Sequence, residues 1–422
     1  MDLTVNSSEE LKGTVKAPPS KSYTIRAYIA SLLANGTSTI IEPLDSLDTN
    51  ACLDAIKILG AKVKEVDGGL EITGVEGEIT HPGKTIDTKN SGTTIRILTA
   101  VAASSKEKIM LTGDESVCKR PMGPLLEALE QLGVETSSVN GCPPVTVKGP
   151  IHGGECVIAG NISSQFISGL LIALGLAKRD TTLKVTTDLR SKPYVDLTLD
   201  VLKKFRVRIE NRDYKEFYIM GERHFHPITY TVEGDYSSAA FILAAAALTK
   251  SDVTVKNLFR DSKQADKQIL KVLQVMGADL EVDRDSIRVR GDGKLHGGVF
   301  DLSDAPDLVP IVSVLGACAS GETILENVEH ARFKECDRID AMATELAKME
   351  AYVEQRQDGL LIEGGPLVGG KLNGWKDHRV VMALAIAGLK ASGETKIKGA
   401  QYIDVTFPEF KTIMQGIGAN IC

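Results

Sequence analysis

Apolar residues recur along this chain in two alternating patterns. The first is an amphipathic spacing, as in Leu53-Asp-Ala-Ile-Lys-Ile-Leu and Leu126-Glu-Ala-Leu-Glu-Gln-Leu, closed by Gly60 and Gly133 and followed by strand-like residues. Apolar positions three and four apart with charges between them predict helices that bury one face. A glycine just past the last periodic residue predicts a left-handed C-cap. The pattern returns around Arg206, Gly277, Glu350 and Gly418, at intervals of 68 to 73 residues. At Arg206 and Glu350 the cap chemistry is weaker, but the spacing holds. The second pattern is an Ala- and Leu-rich stretch with little charge, beginning near Ser22, Gly92, Ser164, Ser238, Asp307 and Arg379. Helices apolar on all sides are buried on all sides. Each leads into a turn and a short strand, as in Thr37-Ser-Thr-Ile40, Thr181-Thr-Leu-Lys-Val185 and Glu394-Thr-Lys-Ile397.

The chain therefore reads as six α/β repeats of about 70 residues, each with two helices and short strands. At 422 residues it exceeds what one core usually supports. Two domains of three repeats each follow, and the pattern-breaking Gly221-Glu-Arg-His-Phe-His-Pro227 is the expected crossover. Hydrophobic residues at 43% and charged residues at 25% fit a packed globular chain. A net charge of −7 argues against a nonspecific nucleic-acid binder, while leaving room for a local basic pocket. The seven cysteines form no C-x-x-C pair and are odd in number, which favours a reducing, cytoplasmic setting over a disulfide framework or zinc site. The polar N-terminus and the lack of a long uncharged apolar run predict neither a signal segment nor a membrane span.

Chemistry gathers where the buried helices begin. These starts read Pro19-Ser20-Lys21-Ser22 with Arg26, Asn90-Ser-Gly92-Thr93, Asn161-Ile-Ser163-Ser164-Gln165, Gly234-Asp235-Tyr-Ser237-Ser238, Asp304-Ala-Pro-Asp307 and Asp377-His378-Arg379. Helix N-termini carry unpaired N–H groups and a positive dipole end, so they attract phosphate and carboxylate. Ser and Thr at such positions serve equally well as ordinary N-caps. Cations are a different matter, since the dipole opposes them in a first turn. Lys21, Arg26 and Arg379 break that local rule at equivalent points of the repeat, as do Lys119 and Arg120 before Pro121. Repeated breaches point to one basic pocket for a multiply anionic small molecule. Lys334-Glu335-Cys-Asp337-Arg338 adds a dense charged cluster before the helical stretch from Ile339 to Lys348. Other motifs are thin. Gly77-Glu-Ile-Thr-His-Pro-Gly83-Lys84-Thr85 has five residues between its glycines where a phosphate loop needs four. The seven histidines show no metal-ligand spacing; His224 and His226 alternate and leave a weak surface metal site open.

In order and spacing the chain resembles the enolpyruvyl transferase family, in the branch that acts on phosphorylated shikimate. The resemblance rests on Ser20-Lys-Ser22 with Arg26, Asn90-Ser-Gly-Thr93, Arg120-Pro121, Ser163-Ser-Gln165, Ser191-Lys-Pro-Tyr194 and Glu233-Gly-Asp-Tyr-Ser-Ser238. It continues through Pro306-Asp307, Lys334-Glu-Cys-Asp-Arg338, Asp377-His-Arg379 and Phe407-Pro408. The fold it implies has two globular domains, each three βαβαββ units of the inside-out α/β barrel type. The expected domains are 14–226, and 1–13 with 227–422, with the active site in the cleft between them. The implied reaction moves the enolpyruvyl group of phosphoenolpyruvate to the 5-hydroxyl of 3-phosphoshikimate, through a tetrahedral ketal phosphate and with loss of phosphate. By resemblance, phosphorylated shikimate contacts Lys21, Ser22, Arg26, Ser163, Ser164, Gln165, Ser191, Tyr194, Asp307 and Lys334. Phosphoenolpyruvate contacts Lys21, Gly92, Arg120, Gln165, Arg338 and Arg379. Asp307 is the expected base for the hydroxyl, with Glu335 and Lys21 handling the proton at the methylene carbon. No metal or organic cofactor is required, and the partners expected are the two substrates alone: no nucleic acid, no membrane, a monomer.

Two positions depart from the family pattern. Val405 stands where a lysine is frequent, two residues before Phe407-Pro408, and His330 stands where asparagine is frequent, four before Lys334. Two rival readings meet the chain at particular residues. The sister transferase acting on a UDP-amino sugar keeps a cysteine upstream of its Arg-Pro; here Cys118 lies only two residues before Arg120, and Ser20-Lys-Ser22 with Arg26 is foreign to that enzyme. A noncatalytic or RNA-end-processing protein of related architecture fits poorly with an acidic chain holding 5% aromatics.

Overall fold

The computed structural model describes residues 1–80 and 83–422; His81 and Pro82, inside the loop-like stretch from Gly77 to Thr85, lie outside the described residues. The chain divides into two compact units, residues 19–232, and residues 1–18 with 233–422. The passages fall slightly later than the sequence reading set them. Strand Thr229–Thr231 pairs in parallel with Thr37–Ile41, tying residues up to 231 into the first group.

Within residues 19–232 each repeat forms one four-stranded sheet. In the second repeat, Ile86–Asp87 runs parallel to Ile109–Thr112, which pairs antiparallel with Cys142–Lys148, the partner of Glu135–Val139. The third repeat copies this order with Gly154–Ile158, Thr181–Val185, Glu216–Ile219 and Ile209–Arg212. Each is a βαβαββ unit, the parallel pair spanned by the buried helix. The remaining residues repeat the scheme with borrowed strands. Glu10–Lys16 completes the sheet of Lys250–Lys256, and Asp2–Val5 pairs with Thr395–Lys398.

The helices without a polar face are buried throughout. Gly92–Ala102 and His378–Gly388 are buried at every residue, and Lys21–Leu33, Ser164–Leu174, Tyr236–Leu248 and Val309–Cys318 at all but one or two. They pack against one another at the centre of each unit, with the sheets outside. The crossing of Ser164–Leu174 over Gly92–Ala102 depends on Gly169, where a β-carbon would come within 3.0 Å of the Arg96 carbonyl oxygen. Asp307 sits in a 3₁₀ turn, Pro306–Leu308, and the fifth buried helix starts only at Val309, with Pro310 suited to its first turn. The six positions that punctuate the repeat all adopt left-handed backbone: Gly60, Gly133, Arg206, Gly277, Glu350 and Gly418.

Candidate active site residues

In the unit of residues 19–232, the helix starts lie close to the starts of the second helices. Lys21 opens Lys21–Leu33, and its ammonium lies 2.9 Å from Asp48 in the first turn of Leu47–Ile58. Asp48 is buried, and its Oδ1 has no hydrogen-bond partner among the described residues. Arg26 is fully enclosed. Its guanidinium donates to Thr198 Oγ1 at 2.8 Å, Ser168 Oγ at 3.3 Å, and the carbonyls of Ser22 at 3.0 Å and Tyr194 at 3.4 Å. Burial pulls its pKa down to about 10. Arg26 thus ties Ser22 and Tyr194 together. Ser191, just before Lys192–Lys204, holds left-handed backbone at φ 56°, a strained state for a serine.

Gly92 and Arg120 meet directly. A β-carbon on Gly92 would lie 2.2 Å from Arg120 Nη1, so only glycine lets this guanidinium lie against the helix start. Arg120 Nη2 also donates to Ser116 Oγ at 3.1 Å. Gln165 bridges the second and third repeats: its Nε2 donates to Thr93 Oγ1 at 2.9 Å, and its Oε1 accepts from Arg96 at 2.8 Å. Ser163 caps the helix by accepting from the Gln165 amide, with Ser164 buried beside it.

The other unit holds a network around Arg338, the buried first residue of Arg338–Lys348. Its Nε donates to Asp377 Oδ2 at 2.8 Å, Nη1 to Asp307 Oδ1 at 2.7 Å, and Nη2 to Glu335 Oε2 at 2.6 Å. Asp307 also meets Lys334 at 3.3 Å and, through Oδ2, Arg379 at 3.1 Å. Asp377 caps His378–Gly388 by accepting from the Arg379 amide at 2.8 Å. Burial disfavours charge on Arg338, but the carboxylates of Asp377, Glu335 and Asp307 outweigh it and hold the guanidinium charged. Burial pushes the Lys334 ammonium down, with Asp307 opposing. Lys334, Arg338 and Arg379 thus face Asp307, Glu335 and Asp377: three cations and three acids.

The sequence-derived residues therefore gather in two sets. Lys21, Ser22, Arg26, Gly92, Arg120, Ser163, Ser164, Gln165, Ser191 and Tyr194 belong to one unit, and Asp307, Lys334, Glu335, Arg338 and Arg379 to the other. Several partners went unread in the sequence: Asp48, Arg96, Asp377 as the acid on Arg338, and Asp266. Asp266 is buried in the turn Ala265–Gln268 and accepts a hydrogen bond from Ser237. Burial, followed by the charge of Asp307, pushes its pKa up to about 6. One signal was available, because Asp48, Arg120, Ser191, Asp266 and Arg338 all stand at or just before second-helix starts, as regular in the repeat as the first. Val405 is buried in the turn Ala400–Val405, and His330 lies in Glu329–Phe333.

Two three-repeat α/β units, each with charged side chains collected at helix starts, define a repeat-built architecture suited to holding small anions. The chain belongs to the EPSP synthase (3-phosphoshikimate 1-carboxyvinyltransferase) family, whose pattern matches residues 5–414. It is 48% identical to the 3-phosphoshikimate 1-carboxyvinyltransferase of Methanocaldococcus jannaschii and 46% identical to that of Methanosphaera stadtmanae, over 99% of each chain. The solved EPSP synthase of Acinetobacter baumannii superposes with a TM-score of 0.85 at 27% identity, covering 100% of this chain and 99% of that one.

Proposed function

We propose that this chain transfers the enolpyruvyl group of phosphoenolpyruvate to the 5-hydroxyl of 3-phosphoshikimate and releases phosphate, a reading supported by its relatives' name, 3-phosphoshikimate 1-carboxyvinyltransferase. One observation carries the reading: Asp307 is held by Lys334, Arg338 and Arg379, with Glu335 on the same guanidinium. Three cations around Asp307 favour its charged form. An incoming phosphate competes with Asp307 for those cations. Losing them raises the proton affinity of Asp307, so anion binding readies it as the base when the hydroxyl is in place. Asp307 takes the hydroxyl proton as oxygen attacks C2 of phosphoenolpyruvate, and Glu335 with Lys21 delivers a proton to the methylene carbon. The tetrahedral adduct then loses phosphate, and the methylene carbon gives back a proton.

Lys21, Ser22, Arg26, Ser163, Ser164, Gln165, Ser191 and Tyr194 hold phosphorylated shikimate with Asp307 and Lys334. Lys21, Gly92, Arg120, Gln165, Arg338 and Arg379 hold phosphoenolpyruvate, Arg forks suiting carboxylate and phosphate. The reading includes a monomeric cytoplasmic enzyme without nucleic-acid partners. The test is phosphate release from phosphoenolpyruvate with 3-phosphoshikimate, run beside the UDP-amino sugar. Release with the sugar alone would overturn it.

A further inference from the structure

Just before Asp377 the backbone does something unusual. Trp375 and Lys376 both adopt left-handed conformations, φ 52° and 57°, although neither is glycine. Two such residues in succession cost energy and persist only where their surroundings over-determine them. Gly374, which precedes them, has no room for a side chain: a β-carbon there would lie 2.2 Å from Val381 Cγ2. The strained turn delivers Asp377, the cap and the partner of Arg338, and Arg379, the partner of Asp307.

The restraint comes from Glu345. This carboxylate is fully buried on Arg338–Lys348. Its Oε1 accepts from the Trp375 indole N–H at 2.8 Å, and its Oε2 from the Asn373 amide at 3.0 Å. Lys348 lies 2.7 Å from Oε1 and balances the charge. Asn373 closes the loop, its side-chain oxygen accepting from the Trp375 amide at 3.0 Å. Residues 338 and 345 are seven apart, hence on one face of the helix. A single helix therefore grips the 373–379 segment at two points: Arg338 on Asp377, and Glu345 on Asn373 and Trp375.

We propose that Glu345 is a positioning residue for Arg379, acting through the Trp375 turn, and that Trp375 reports occupation of the phosphoenolpyruvate site. The proposal rests on the reading of Arg379 as a ligand of that substrate. The chain holds a single tryptophan, so its emission comes from this turn alone.

The experiment uses the full-length protein, with steady-state kinetics for each substrate and tryptophan emission during titration with phosphoenolpyruvate. Glu345→Ala should raise KM for phosphoenolpyruvate about tenfold or more while KM for 3-phosphoshikimate stays within about twofold, a split that general loosening would not produce. Its emission should shift to the red and lose its response to phosphoenolpyruvate. Glu345→Gln keeps one acceptor and should restore most of the affinity. Trp375→Phe removes the indole donor while keeping an aromatic ring and should raise the same KM by about threefold, which tests the idea even if Glu345→Ala does not fold. An unchanged phosphoenolpyruvate KM in Trp375→Phe and in any folded Glu345→Ala, or equal rises for both substrates, would overturn the proposal. Arg379→Ala separates the two levels. If it leaves KM for phosphoenolpyruvate unchanged, the ligand assignment of Arg379 fails; if it raises KM while the Glu345 and Trp375 variants do not, only the positioning role fails.

Discussion

Asp266 puts the charge balance of the second unit to a quantitative test. Its Oδ2 accepts from Ser237, and its buried Oδ1 has no hydrogen-bond partner among the described residues. Burial, with the negative charges of Asp307 and Asp235, outweighs the opposing pull of Arg379 and Ser237, so its pKa rises from 3.8 to about 6. Below about pH 3.8 the group is protonated in both folded and unfolded chains and contributes nothing. As pH rises from 3.8 to 6 the folded state keeps a proton that the unfolded chain releases, so stability falls across that window. Above it the full cost applies, about 3 kcal/mol for this difference in pKa. Asp266→Asn has the same shape, still accepts from Ser237, and cannot ionise. The variant should exceed wild type in stability by about 1 to 2 kcal/mol at pH 5 and about 3 kcal/mol at pH 7.5. Urea denaturation followed by the emission of Trp375, which lies in the same unit, reads this directly. A variant advantage that is flat between pH 5 and 7.5, or that shrinks as pH rises, would refute the reasoning.

Asp307→Asn and Glu335→Gln should each lower kcat at least about a hundredfold while binding 3-phosphoshikimate within about tenfold, measured by single-turnover kinetics and calorimetry; an Asp307→Asn enzyme retaining more than about a tenth of kcat would move the base elsewhere. Gly92→Ala should displace the Arg120 guanidinium and raise KM for phosphoenolpyruvate about tenfold. Among the described residues the Cys118 thiol meets Gly113 and Thr112, so Cys118→Ala should keep turnover within about threefold, and a hundredfold loss would favour the amino-sugar reading.

The repeat was legible because its marks are local. A helix that ends in left-handed backbone writes a glycine into the sequence, and even Arg206 and Glu350 kept the register. The first-helix starts were legible for the same reason, since a lysine in a first turn is conspicuous on its own. Pairings were not. Asp48 meets Lys21, Asp266 meets Ser237 and Arg96 meets Gln165 across 27, 29 and 69 residues. Nothing short-range records which second-helix start faces which first-helix start. Arg338 illustrates the gap: the sequence shows a cation suited to an anion, and the structure shows it engaged by acids 31 and 39 residues away. Asp377 looked like half of a motif and proved to be both a cap and a counter-ion.

The left-handed caps have a further meaning. Because the chain carries six versions of one unit, it contains its own alignment. Features that recur in every version, such as the positive φ after the second helix, are the grammar shared by all copies. Features found in one copy, such as the lysine of the first, the glycine of the second or the paired arginine and acids of the fifth, are the vocabulary each copy acquired separately. Laid over itself, a single sequence of this kind separates inheritance from specialisation, a distinction usually drawn by comparing species.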